Sequence, residues 1–312
     1  ARPSVVRHVT ATHWDRITVA HEHGDYPAEF AAAWQNGRSF LMSADGLRSR
    51  APAVIEWKGA HQPPGFDHIP ADLRVDHVYL ISCKYQSKIV TNSSPTNLLD
   101  RRLADRTAGR GSDSWYEACA PTAYGDFYQR VRQYLGQHLL PASASDLEPG
   151  HMDHIRDACA GRWPDALAPH WATFSLDVAT ASATRWSGHL ATPARREEML
   201  WRLLRLSPAP YFILGASNTG AQMRLRIGTR WDWRQTFSLR SFSVTPRAAG
   251  QPRVDWSATA TRKTDDVEVR VDGHVEIRCA HGRFSAVEAK VYLDTPHEHA
   301  PGYFPLAGPA GP

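Results

Sequence analysis

Residues 75–85, VDHVYLISCKY, place Asp76, Val78, Leu80, Ser82 and Lys84 on one face of an extended segment and apolar residues such as Tyr79 and Ile81 on the other. Alternate residues of a strand share a face, and a run this rich in β-branched and aromatic side chains favours strand over helix. The segment reads as a strand with polar groups set into an apolar body. On one straight strand Asp76 and Lys84 stand about 26 Å apart at about 3.3 Å per residue, whereas Ser82 and Lys84 are neighbours. Upstream, across the loop GAHQPPGFDHIP, the stretch AVIEWKG brings Glu56 and Lys58 to one spot by the same alternation. A helix over Tyr26–Gln35 (YPAEFAAAWQ), closed by Asn36-Gly37, precedes both strands.

Two further textures follow. From 96 to 206 the chain is helical: Thr96 or Asn97 opens NLLDRRLADR, Trp115–Leu140 carries aromatic and aliphatic residues three and four apart, and RREEMLWRLLRL (Arg195–Leu206) is amphipathic. The stretches PASASDLEPG and GRWPDALAPHW read as loops. From Tyr211 to about Asp294 it is β, with strands expected over YFILG, QMRLRIGT, TFSLRSFSV, RVDWSATATR, VEVRVDGHVEIRCA and AVEAKVYL. The dipeptide Asp272-Gly273 signals a two-residue hairpin inside the fifth of these. The expected fold class is α+β, with a mixed α/β core in 1–95, a helical region in 96–206 and an antiparallel β-rich module in 207–312.

A carboxylate and a lysine on alternate positions can hold a divalent cation and orient an attacking water, provided a second acid completes the metal shell. Asp45 precedes Glu56 across GLRSRAP, and the downstream strand adds Asp72 and Asp76. With Glu56 and Lys58, these residues resemble the PD-(D/E)xK nuclease superfamily, which includes many restriction and repair endonucleases. The resemblance rests on the residues around Asp45 to Lys84. Ser82-Cys83-Lys84 is similar to the S-x-K form that some of its restriction enzymes carry in place of E-x-K. Two assignments compete: Asp45, Glu56 and Lys58 as the site, or Glu56 with Asp72 or Asp76 as metal ligands and Lys84 as the catalytic lysine. Glu288-Ala289-Lys290 is a further E-x-K, with Asp272 upstream. The resemblance implies a nuclease-like core cutting DNA with Mg²⁺ or Mn²⁺, a restriction or antiviral-defence role and a homodimer, because duplex cleavage needs two sites. A non-catalytic nucleic-acid-binding or adaptor subunit of a defence or repair complex, with protein partners, is the alternative, in which each acid–lysine pair is a structural ion pair.

Composition agrees with an anionic partner. Of 312 residues 42% are apolar and 22% charged, the formal charge is +4, and arginine far outnumbers lysine, which suits bidentate phosphate contacts. In MRLRIGTRWDWR, Arg224 and Arg226 share a face and Arg230, Trp231 and Trp233 follow, a mixture able to grip phosphate and stack on bases. The four dispersed cysteines argue against a disulfide framework or zinc ribbon. His21-Glu22-His23, His151-x-x-His154 and His297-Glu298-His299 are competing metal candidates, though none has a defined zinc spacing, and the first and last read as surface loops. There is no Gly-rich phosphate loop, dinucleotide fingerprint or nucleophile elbow. No apolar run reaches membrane-spanning length, and the first fifteen residues lack a signal-peptide core, so a cytoplasmic protein without a membrane partner is expected.

Overall fold

A computed structural model describes residues 2–58, 71–100, 114–217 and 219–308. A short strand, β1 (Val6–Arg7), leads into helices α1 (Ala11–Glu22) and α2 (Pro27–Met42), and then into strands β2 (Ile55–Trp57), β3 (Leu73–Val75), β4 (Tyr79–Tyr85) and β5 (Ile89–Ser93). Helices α3 (Trp115–Cys119), α4 (Pro121–Leu135), α5 (Pro149–Ala158), α6 (Ala168–His189) and α7 (Pro193–Leu203) come next. Strands β6 (Tyr211–Ala216) and β7 (Gln222–Ile227), the short helix α8 (Arg230–Thr236), and strands β8 (Phe237–Ala249), β9 (Gln251–Arg262), β10 (Glu268–Cys279), β11 (Val287–Leu293) and β12 (Tyr303–Pro305) complete the chain. The fold is α+β. Among the described residues no helix is long and apolar enough to cross a membrane.

The strands form two sheets. The first runs β1-β2-β3-β4-β6-β7-β12 and is mixed, with β4 parallel to β6; the second runs β5-β11-β10-β9-β8 and is antiparallel throughout. The sequence positions near 95 and 206 are therefore not sheet boundaries: each sheet takes strands from both the first and the last stretch of the chain. One face of the first sheet packs on α2 through a small cluster containing Phe40, Val75, Ile81, Phe212 and Leu214. Its other face joins the helices and the second sheet in the main core.

Several local expectations change for identifiable reasons. Residues 75–85 are not one strand: Asp76 and His77 both take positive φ and turn the chain from β3 into β4. Helix α2 runs through Asn36-Gly37 to Met42 because the Asn36 side chain is buried and bonded, donating to the Gly215 carbonyl and accepting from Arg224. The stretch Trp115–Leu140 is broken at Ala120, where Pro121 starts α4. Of the helix expected from Thr96, Thr96–Asp100 form a π-helical turn and the rest lies outside the described residues.

The end of the supposed loop GRWPDALAPHW opens α6, the longest helix, with Pro169 in its first turn. Phe174, Val178, Ala179, Ser182, Ala183 and Trp186 on it are buried; the helix packs on β8, β9 and α4, with Trp186 against Phe242 of β8 and Phe174 against Phe127 of α4. Full burial of side chains such as Phe174, Val178 and Trp186 contributes about 1.5–3 kcal/mol each. The segment after β7 is helix rather than strand, capped by Thr229 and Asp232, which bond each other's backbone N–H reciprocally. This helix turns Trp233 fully into the core, against Trp201 and Phe237.

No hairpin forms at Asp272-Gly273. Strand β10 passes straight through, pairing Gly273 with Trp256 on one side and Leu293 on the other. The glycine serves packing: a Cβ there would lie 2.3 Å from the Trp256 indole and 2.3 Å from the Tyr292 carbonyl oxygen. We expect Gly273→Ala to lower stability by about 1–3 kcal/mol through this overpacking. Thermal denaturation would show it as a lowered midpoint, and an unchanged midpoint would mean the Trp256 ring moves aside without cost.

Candidate functional site

Register decides which of the expected site residues can meet. Glu56 pairs with Arg74, and Arg74 with Leu80, so these three share the face of the first sheet that looks toward the main core. Lys58, Asp72 and Ser82 lie two residues along from members of that row and Lys84 four, and alternation puts them on the same face. Ile81 pairs with Phe212, and Phe212 with Arg226, on the opposite face against α2.

Asp45 belongs to that opposite face. It follows α2, accepts from the Ala307 N–H at 2.9 Å and pairs with Arg226 at 3.6 Å. It cannot share a cation with Glu56 across the sheet, so the set Asp45, Glu56 and Lys58 is not assembled. Asp76 is also excluded, by its place in the β3–β4 turn. Its carboxylate accepts from the N–H groups of Ala53 and Val54 at 2.7 and 3.1 Å and from Arg50 at 2.5 Å. Burial works to raise the Asp76 pKa, but these donors outweigh it and leave the group more acidic than usual.

Glu56 and Lys58 do meet, at 3.3 Å, yet the shell around Glu56 is cationic. Its side chain is buried, and Arg74 grips both oxygens at 2.6 and 2.9 Å. His77 lies 3.1 Å and His8 3.4 Å from the same carboxylate. The Arg74 hydrogen bonds, aided by Lys58, hold the Glu56 carboxyl at about 2 against the burial that would raise it. The sequence signal for Arg74 was present in DLRV, where alternation sets Asp72 and Arg74 on one face as surely as Glu56 and Lys58. His8 directly follows a strand of two residues, Val6–Arg7, too short to read from sequence.

Lys84 has a different occupation. Its ammonium donates to the Ile89 carbonyl at 3.2 Å, and Arg205 donates to the next carbonyl, Val90, at 2.9 Å. Burial lowers the Lys84 pKa, and Arg205 lowers it further. Asp72 nearby accepts from the Cys83 N–H at 2.6 Å and from Ser82 at 3.3 Å. His297, expected on the surface, is buried, and burial with Lys84 nearby favours its neutral form. Among the described residues no three His, Cys, Asp or Glu side chains converge as metal ligands would.

The other expected groups are committed elsewhere. Glu288 pairs with Arg278 at 3.2 Å and Lys290 at 3.3 Å, an ion-pair ladder across β10 and β11. Arg224 bonds Asn36, Arg226 lies over Phe304, and Arg230 donates to the Leu206 carbonyl and lies over Trp201. Trp233, fully buried, has no face to offer a base; Trp231 is 68% exposed and remains the only accessible indole of that pair. No protein-family model, no curated protein and no solved structure matches this chain.

The Glu56 geometry fixes a pH response. Its pKa is lowered on folding, so the stabilisation is complete above the ordinary carboxyl pKa of 4.5 and is lost as pH falls toward about 2. Glu56→Gln should cost about 1–3 kcal/mol at neutral pH, because Arg74 and Lys58 lose their counter-charge. It should also flatten the pH dependence of stability between about 4.5 and 2. Denaturant titrations of both proteins across that range check this, and an unaltered pH profile would dissociate Glu56 from acid stability.

Proposed function

We propose that the protein binds nucleic acid without cleaving it, as a binding or adaptor subunit, through the cationic ground around Glu56. The observation that carries this is the bidentate grip of Arg74 on Glu56, with Lys58 alongside. A divalent ion placed on Glu56 would sit close to both cations. Two like unit charges 4 Å apart repel by roughly 4 kcal/mol at an effective dielectric near 20, and the ion carries two. The donor set does not fit Mg²⁺ or Mn²⁺: neither Asp45 nor Asp76 can join Glu56, Asp72 on the same face accepts from the Cys83 N–H and Ser82, and Arg74 holds both Glu56 oxygens.

What the ground does offer is positive charge. Arg7, Arg50, Lys58 and Arg74, with His8 and His77, surround Glu56, Asp72 and Asp76. Side chains of His8, His77 and Arg50 are more than half exposed, at 63%, 66% and 56%, so the outward part of the cluster offers hydrogen-bond donors and the Arg50 guanidinium. Charge of this kind supplies sequence-independent affinity for a phosphate backbone. One observation favours the nuclease reading instead: Asp72, Ser82 and Lys84 share the face of Glu56 and Lys58.

Duplex and single-stranded DNA, titrated at several salt concentrations with plasmid incubated in parallel with Mg²⁺ or Mn²⁺, tests the two readings together. The expected result is saturable, salt-sensitive binding and intact plasmid. Replacing Arg7 and Arg50 with Ala should reduce the duplex salt slope by up to about 0.9 per lost contact. Metal-dependent nicking that disappears in Lys84→Ala would replace this proposal with the nuclease. Absence of binding at low salt would remove both.

A further inference from the structure

A second concavity shares no lining residue with the ground around Glu56. It is a cavity of ≈290 Å³ between α4, α6, the turn after α5 and the β10–β11 connection. That volume lies at the small end of ligand pockets, which run from about 300 Å³ upward. Phe127, Trp163, Trp171, Phe174 and Phe284 form its aromatic wall. The rings brace one another: Phe127 stacks on Phe174 at 5.3 Å and meets Trp163 edge-on at 5.0 Å. A wall of interlocked rings is stiff, and it presents flat apolar faces of the kind that receive another flat ring.

Of the polar groups on this wall, Arg283 is half-buried and stands apart in having no carboxylate partner among the described residues. Arg283 donates to the Gly161 carbonyl at 2.6 Å and lies 4.1 Å over the Trp163 ring, with no carboxylate in ion-pair reach among the described residues. The other two arginines of the cavity are neutralised, Arg278 by Glu288 and Arg156 by Asp153 and Asp157. Burial acts against the Arg283 charge, so an anion brought to it would relieve a real cost.

We infer that this cavity binds a small planar aromatic ligand carrying one anionic group, its ring against the Phe127–Trp163–Phe174 wall and its anion on Arg283. A nucleoside monophosphate and an aromatic carboxylate both have this chemistry. Both requirements belong to one molecule, so neither the ring nor the anion alone should suffice.

Calorimetric titration of the full chain with AMP, indole-3-acetate, adenosine and inorganic phosphate tests this. At least one of the first two should bind saturably, tenfold or more tightly than adenosine and phosphate, and their order identifies the anion class. Arg283→Gln should weaken that binding about tenfold. Trp163→Leu removes the ring face and should weaken it by a smaller factor. If Arg283→Gln lowers the melting temperature, Arg283→Lys, which keeps the charge, should retain more affinity than Gln. Failure of both aromatic anions to bind at millimolar concentration, or binding indifferent to Arg283 and Trp163, overturns the assignment whether or not the protein binds DNA.

Discussion

The parallel pairing of β4 with β6, from Ile81 against Phe212 to Tyr85 against Ala216, is the constraint on which the architecture hangs. It joins strands more than 120 positions apart and so makes one sheet from the two ends of the chain. Parallel neighbours need a long crossover, and here the crossover is β5 and the helices α3–α7. Once β4 and β6 are in register, β7 and β12 can add on one side, with β3, β2 and β1 on the other. The intervening helices must then cover the sheet face that does not carry α2, and α6 is buried there against the second sheet. Contacts of such long sequence separation carry a heavy loop-closure cost before they stabilise anything, which makes the fully buried residues of α6, Val178 and Trp186 among them, essential to the net balance.

The same register governs the chemistry of the face it creates. It aligns Glu56, Arg74 and Leu80 in one row, with Lys58, Asp72, Ser82 and Lys84 beside them, and sends Arg224, Arg226 and their partner Asp45 to the other side. A carboxylate can serve a metal or a guanidinium. At Glu56 the guanidinium has won, because Arg74 reaches both oxygens from the adjacent strand, while Asp72 on the same face is taken up by the Cys83 N–H and Ser82. The effect is to bury one negative charge against two positive ones, Arg74 and Lys58.

Alternation was enough to find most strands and the pairs Glu56–Lys58 and Glu288–Lys290, because period two is a local property of the backbone. It could not say which acids stand across the sheet from Glu56. Asp45 and Asp76 look adjacent in sequence to the site, but one lies behind the sheet and the other is spent closing a turn. Gly273 was misread for a related reason: the demand for glycine comes from Trp256, seventeen positions away, and not from the local turn chemistry of Asp-Gly. Helix α6 escaped notice because its buried face mixes Ser175, Ala179, Ser182 and Ala183 with large residues, giving no clear apolar stripe. Trp233 shows the converse, since its neighbours Arg230 and Arg234 made a core residue look like part of a binding face.

Strand β5 is an outer strand of the second sheet, and two of its carbonyls, those of Ile89 and Val90, are occupied by Lys84 and Arg205. An outer strand with free carbonyls is a template on which another chain can add. Charged side chains folded back onto those oxygens remove the acceptors that an incoming strand would need, and they place positive charge where it would have to dock. Lys84 and Arg205 thus act as guards of the sheet margin, a task that gives a partly buried lysine a structural place in the fold.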